Sequence, residues 1–257
     1  MQEAKIIKED TNVRILFLGS NSDAVQLLSW TAEQDGAEIV GVVGDEPLTA
    51  YAKNKSYSVY SLETASARMM MDSGWAELVV SYLYWRILKP PIIDIPKYGC
   101  INFHPAPLPD YKGRAGCSFA ILDRLSEWGC TAHYINEGID TGNIIKVKRF
   151  PFDWRQETGI SLKKKTFMVQ AQLYKEVMGN VLKKGRVECI PQDLSKGRYI
   201  STQAMLAAME VTEKDDIDAK IQAFWFPPHD GAYIKMQNGQ RYTLVNEIIL
   251  RQIKINL

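Results

Sequence analysis

Val13-Arg14-Ile15-Leu16-Phe17-Leu18-Gly19-Ser20-Asn21-Ser22-Asp23-Ala24-Val25-Gln26-Leu27-Leu28 is a near-continuous apolar run, a glycine, and then residues at helical spacing. A strand buried on both faces reads as an apolar run, because neither side needs polar residues. Ala24, Leu27, Leu28 and Thr31 lie on one face of a helix predicted over Ser22 to Glu33. The unit then recurs. Glu38 to Val43 predicts a second strand, Thr64 to Asp72 a helix, Glu77 to Leu83 a strand, and Cys100 to Phe103 another. Strands separated by helical patterns imply βαβ units and a parallel sheet. The predicted fold class is therefore α/β: a Rossmann-like, mostly parallel sheet with helices on both faces.

Beyond this core the pattern changes. Cys130 to Ile135 and Ile144 to Phe150 alternate in character and flank Asn136-Glu137-Gly138-Ile139-Asp140-Thr141-Gly142, a tight loop between antiparallel strands. Thr158 to Leu182 predicts one long helix with Phe167, Ala171, Tyr174, Met178 and Val181 as its stripe, stopped at Gly185. From Val187 the signals shorten. Asp215 to Phe224 predicts a short amphipathic helix, and Phe226 to Gly231 breaks it. Ala232 to Met236 and Arg241 to Ile249 flank an Asn238-Gly239 turn, a hairpin signal. The expected organisation is a catalytic domain over 1–186 and a small α+β hairpin domain over 187–257.

Lys and Arg number 31 against 30 Asp and Glu, a net charge of +1, which favours neither nucleic acid nor an anionic membrane as partner. The opening apolar run is too short for a signal peptide core or a membrane span, so a cytoplasmic location is expected. Cys100, Cys117, Cys130 and Cys189 are scattered and read as reduced, buried small hydrophobes. His104, His133 and His229 offer no metal-ligand spacing, so no metal is expected.

The chemistry concentrates in Cys100-Ile-Asn-Phe-His-Pro-Ala-Pro-Leu-Pro-Asp-Tyr-Lys-Gly-Arg114. Asn102 and His104 are two apart, so a strand turns them to the same side. They also stand at the strand's carboxyl end, where open α/β sheets bind ligands. The proline-dense segment that follows cannot continue a strand or a helix and reads as a rigid, extended wall. A structural reading competes, with Asn102 capping a turn and His104 bonding to the backbone. Asp140 in the downstream loop weighs against it.

Asn102-Phe-His104-Pro105, Leu108-Pro109-Asp-Tyr111-Lys-Gly113 and Gly138-Ile-Asp140-Thr-Gly142 together resemble the folate-dependent formyltransferase family. The likeness is strong between about Leu83 and Phe150 and weaker on the flanks. It implies N10-formyltetrahydrofolate as the one-carbon donor and a catalytic set of Asn102, His104 and Asp140. Those residue types suit acyl transfer. An amide can donate to a developing oxyanion, an imidazole can stabilise it or take the amine's proton, and a carboxylate can orient the imidazole. The resemblance further implies a pterin slot between Arg86-Ile87-Leu88 and the loop with Ile135, Gly138 and Asp140, and a cis peptide at Leu108-Pro109. Trp85, beside that slot, has core packing as its competing reading.

For the acceptor, several branches of the family compete. Methionyl-tRNA formyltransferase carries a longer, basic C-terminal domain, whereas residues 191–257 here hold eight Lys or Arg and eight Asp or Glu. Glycinamide ribonucleotide formyltransferase uses a glycine-rich loop after the first strand, where this chain has only Gly19. Nucleotide-sugar N-formyltransferases are similar in their compact C-terminal hairpin piece, and Phe226-Pro-Pro-His-Asp-Gly-Ala-Tyr233 resembles the segment that opens it. That likeness implies a nucleotide-linked amino-deoxy sugar as acceptor, a role in surface polysaccharide (lipopolysaccharide) biosynthesis, and a homodimer. Pro105, Lys112 and Arg114 are the expected acceptor contacts, the two cations facing a diphosphate or else a solvated turn. Trp225, Phe226 and Tyr233 read as packing residues before stacking ones. A nicotinamide protein would want Gly-x-Gly-x-x-Gly where Gly19-Ser-Asn-Ser-Asp-Ala24 stands, and an inert nucleotide-binding module has no use for the three polar residues.

Overall fold

The computed structural model describes residues 12–255. The charged segment before the first strand lies outside them. In chain order the first elements are β1 (Val13–Gly19), α1 (Asn21–Ala32), β2 (Ala37–Gly44), α2 (Leu48–Asn54), α3 (Leu62–Met71), β3 (Leu78–Tyr82) and β4 (Cys100–His104). Then come β5 (Tyr111–Gly113), α4 (Gly116–Leu122), β6 (Glu127–Tyr134), β7 (Ile144–Pro151) and α5 (Gly159–Lys184). The last are β8 (Arg198–Ile200), α6 (Thr202–Met209), α7 (Ile217–Ala223), β9 (Tyr233–Lys235), β10 (Arg241–Thr243) and α8 (Glu247–Ile255). Six strands form a mixed sheet in the order β2-β1-β3-β4-β6-β7. β1 pairs in parallel with β2 and β3, β3 pairs in parallel with β4, and β6 and β7 are antiparallel. The α/β reading holds, and two further strand pairs, β9 with β10 and β5 with β8, are separate from the sheet.

The residues cluster into two compact units. One comprises the described part of 1–103 with 134–137 and 174–189; the other comprises 104–133, 138–173 and the described part of 190–257. In the first, Ile15 to Leu18 and Leu78 to Val80 are fully buried, which is why these strands carry no polar alternation. Phe17, Tyr82 and Phe103 surround Tyr174 with ring centroids 4.7–6.5 Å away. Tyr174 is buried, yet its hydroxyl lies 2.6 Å from Thr31 Oγ1. Thr31 donates its own hydrogen to Leu27 O, so Tyr174 is the donor of that pair. Tyr174→Phe leaves Thr31 still bonded and should cost only about 1 kcal/mol in urea denaturation. A loss of several kcal/mol would mean the hydroxyl has a second buried partner.

The second unit has its own apolar core around Trp128, Ile121, Leu162, Ile221, Phe224 and Ile249. Trp225 and Tyr233 pack against it, as packing residues should.

Four local expectations need correction. The strand expected over Arg241 to Ile249 stops at Thr243, and Glu247–Ile255 is helical. Asn246 explains the switch, because its Oδ1 accepts the Ile249 N–H and caps the new helix. The buried face of α5 runs through Leu162, Thr166, Gln170, Leu173, Tyr174, Val177, Met178 and Val181, leaving Phe167 and Ala171 at its edge. Two buried polar residues hid that face from an apolar count. Trp85 is 66% exposed and packs in no core. Finally, the proline-dense segment after His104 does not run extended, because it bends at Pro105 and Ala106 and turns over Leu108 to Asp110.

The four cysteines are free, three of them buried. Burial pushes the Cys117 thiol up to about 11 and Cys130 up to about 12, and raises Cys100 as well, so these three are poor nucleophiles. Among the described residues no helix is long and apolar enough to cross a membrane.

Candidate active site

The site grows from the carboxyl ends of β3 and β4. Pairing aligns Ser81 with Asn102 across the two strands, and Ser81 Oγ donates to Asn102 Oδ1 at 3.0 Å. That bond assigns the amide oxygen and turns the two N–H donors of Asn102 to the opposite edge. Ser81 is itself buried, so its hydroxyl is a fixed point. Ser81→Ala should therefore lower turnover about tenfold while Asn102 remains in place, the worth of one orienting hydrogen bond of ~1.4 kcal/mol. Steady-state kinetics with an unchanged melting temperature would bear this out; an unchanged kcat would mean Asn102 is held by other contacts.

Two residues on, His104 is buried and both ring nitrogens are engaged. Nε2 lies 2.9 Å from the Tyr111 carbonyl oxygen. A carbonyl only accepts, so Nε2 carries the hydrogen. Nδ1 is then the atom facing Asp140 Oδ2, at 3.5 Å. Any proton exchanged with the carboxylate passes on that side of the ring.

Asp140 is the meeting point of several groups. Its Oδ2 also accepts the Gly113 N–H at 2.9 Å, and its Oδ1 faces His133 Nε2 at 3.7 Å. Its backbone is left-handed, φ +54°, a conformation Asp tolerates better than most residues. Gln192 Nε2 clamps the loop by donating to Asp140 O at 3.0 Å and Gly142 O at 2.6 Å. The carboxylate thus sits between two buried imidazoles on a loop pinned from a distant segment.

The other expected residues fall as follows. Leu88 is buried and Ile135 packs against the same apolar cluster, with the Ile135 N–H donating to Cys100 O at 2.7 Å. Ile87 is exposed, and Arg86 pairs with Glu63 at 2.5 Å. Gly138 is exposed, and a Cβ there would meet Thr141 Oγ1 at 2.2 Å. Pro105 is half-buried and Arg114 exposed. Lys112 is only 8% exposed, and its ammonium donates to Pro109 O and Lys196 O. Leu108-Pro109 is cis. Among the described residues no group of three His, Cys, Asp or Glu side chains is arranged to hold a metal.

Sequence reasoning missed Ser81, His133, Gln192 and the β5 backbone. For His133 a signal existed: it alternates with Thr131 on one face of β6, seven residues before Asp140. Gln192 and β5 had none.

The model of the formyl transferase family matches residues 8–178. A methionyl-tRNA formyltransferase of Bacillus velezensis is 30% identical over 202 residues, 72% of this chain and 63% of that protein. The chain thus spans less than two thirds of the length of the curated relatives it matches. A 4-N formyltransferase from Francisella tularensis superposes with a TM-score of 0.77 at 18% identity, covering 91% of this chain and 97% of that one. An N-formyltransferase from Helicobacter canadensis, in complex with folinic acid and dTDP-3-aminofucose, superposes with a TM-score of 0.72 at 25% identity, covering 91% and 89%. With a family match across more than half of its length, this chain belongs to the formyl transferase family.

Proposed function

We propose that this protein transfers a formyl group from N10-formyltetrahydrofolate to the amine of a nucleotide-linked amino-deoxy sugar. The observation that carries the transfer is the contact of His104 with Asp140, with Asn102 two residues earlier on the same strand and held by its amide oxygen from Ser81 on β3. The folate donor supplies an activated formyl carbon, and residues 86–88 with 135–140 would hold its pterin. Leu88 and Ile135 belong to one apolar cluster, and such a lining would suit a flat ring better than a charged group. Asn102 presents its N–H donors to the oxygen on which charge develops. His104 and Asp140 hold the proton that must leave the attacking amine, with Nδ1 as the exchanging atom.

The acceptor class rests on the likeness to the Helicobacter canadensis protein, whose structure contains a dTDP-linked amino sugar. That likeness covers 91% of this chain, more than residues 1–186 alone supply. Residues 191–257 add no net charge, eight cations against eight anions, a poor surface for the phosphates of tRNA. Identity to methionyl-tRNA formyltransferase favours the second reading, tRNA as acceptor. We further assign residues 1–186 as the catalytic domain, 187–257 as a hairpin domain that joins two copies, the cytoplasm as location, and lipopolysaccharide biosynthesis as setting.

The test is mass spectrometry of products from N10-formyltetrahydrofolate with GDP-, dTDP- and UDP-linked amino sugars, glycinamide ribonucleotide and methionyl-tRNA. A formyl group on one sugar supports the proposal. Activity on tRNA or glycinamide ribonucleotide alone overturns the sugar assignment.

A further inference from the structure

We propose that Lys112 is a positioning residue for the His104–Asp140 pair and does not bind the acceptor; this rests on the formyl-transfer reading above. β5 is three residues long, yet its backbone serves both members of the pair. The Tyr111 carbonyl accepts from His104 Nε2, and the Gly113 N–H donates to Asp140 Oδ2, each at 2.9 Å. So short a strand does not hold its place alone. Its partner is β8, paired in parallel as Tyr111 with Arg198, Lys112 with Tyr199 and Gly113 with Ile200. Arg198 N donates to Asp110 O and Arg114 N to Ile200 O, both at 2.9 Å.

Lys112 locks this seam from inside. Its Nζ donates to Pro109 O at 3.1 Å and Lys196 O at 2.9 Å, tying the turn before β5 to the turn before β8. Burying an ammonium against neutral carbonyls costs desolvation that a methionine would avoid, so the charge serves geometry here. The two backbones are also pressed together at glycines. A Cβ on Gly197 (φ +71°) would meet Pro109 O at 2.0 Å, and one on Gly113 (φ +88°) would meet Ile200 O at 2.4 Å. At these two glycines the backbones leave no room for a side chain, so a shift of β8 moves the Tyr111 carbonyl and the Gly113 amide together. A phosphate ligand, by contrast, needs a lysine whose donors face solvent.

The experiment compares wild type, Lys112→Met and Lys112→Arg in the full chain. Kinetics with the sugar found above should show K112M losing about 100-fold in kcat with the acceptor KM within about twofold, the signature of misplacement. K112R should recover part of the loss, because its guanidinium can reach both carbonyls. In ¹⁵N spectra of labelled histidine, the His104 Nε2 resonance should move in K112M as the Tyr111 bond weakens, and the Gly113 amide should exchange faster. A tenfold rise in acceptor KM with kcat kept would overturn the proposal, as would unchanged His104 and Gly113 signals. The spectra need no acceptor. If no acceptor in the panel is formylated, the functional reading fails while the seam is still decided. Should K112M not fold, Lys112→Gln, which keeps a donor for one carbonyl, takes its place in the same comparison.

Discussion

Asp140→Asn is expected to lower kcat by about a thousandfold, within the range of general acid–base contributions. The substitution is conservative in every respect but charge. Asn is nearly isosteric, its Oδ1 can still accept the Gly113 N–H, and it tolerates the left-handed φ of +54° as well as Asp does. The loop clamp from Gln192 goes to backbone carbonyls and is untouched. What disappears is the carboxylate opposite His104 Nδ1, and with it the group that shares a proton with the ring. His133, facing Oδ1, loses its anion too. The melting temperature should therefore hold to within about 2 °C, since the change in stability is expected to stay well below 1 kcal/mol. Single-turnover formyl transfer is the measurement. A drop of less than tenfold would remove Asp140 from the proton path.

Asn102→Asp is expected to cost 10²- to 10³-fold in kcat, the usual effect of deleting one oxyanion donor. Here the isostere separates orientation from chemistry. An Asp side chain still accepts the Ser81 hydroxyl, so its carboxylate stays where the amide was. The edge that carried two N–H donors now carries an oxygen and negative charge, which repels the developing oxyanion. The loss should appear in kcat with little change in KM for the folate, because the interaction forms only as the reaction proceeds. A KM effect with kcat kept would instead place Asn102 in ground-state binding. Comparison with Ser81→Ala then ranks the two residues, the donor well above the group that aims it.

Much of this architecture could be read along the chain. β1 and β3 are apolar because both faces are buried, and that pattern survives any detail of packing. Asn102 and His104 share a side of β4 because strands repeat every two residues, and the paired glycines about Asp140 marked a shaped loop. Less local signals misled. The stripe on α5 was misplaced by one residue over its first half because Thr166 and Gln170 are buried, and β10 was drawn too long because a capping Asn246 restarts the chain as helix.

What the sequence by itself determined was the succession of the six sheet strands with α1, α3 and α5, the parallel core, and the three polar residues that open onto one strand end and one loop. These depend on periodicity and turn chemistry, which act over a few residues. The tertiary structure alone decided which atoms meet: Ser81 with Asn102, Nε2 of His104 with a β5 carbonyl, Asp140 between two imidazoles, and the buried Lys112 across β5 and β8. The reason is physical. A three-residue strand such as β5 or β8 has no propensity of its own and exists because a segment from far along the chain completes its hydrogen bonds.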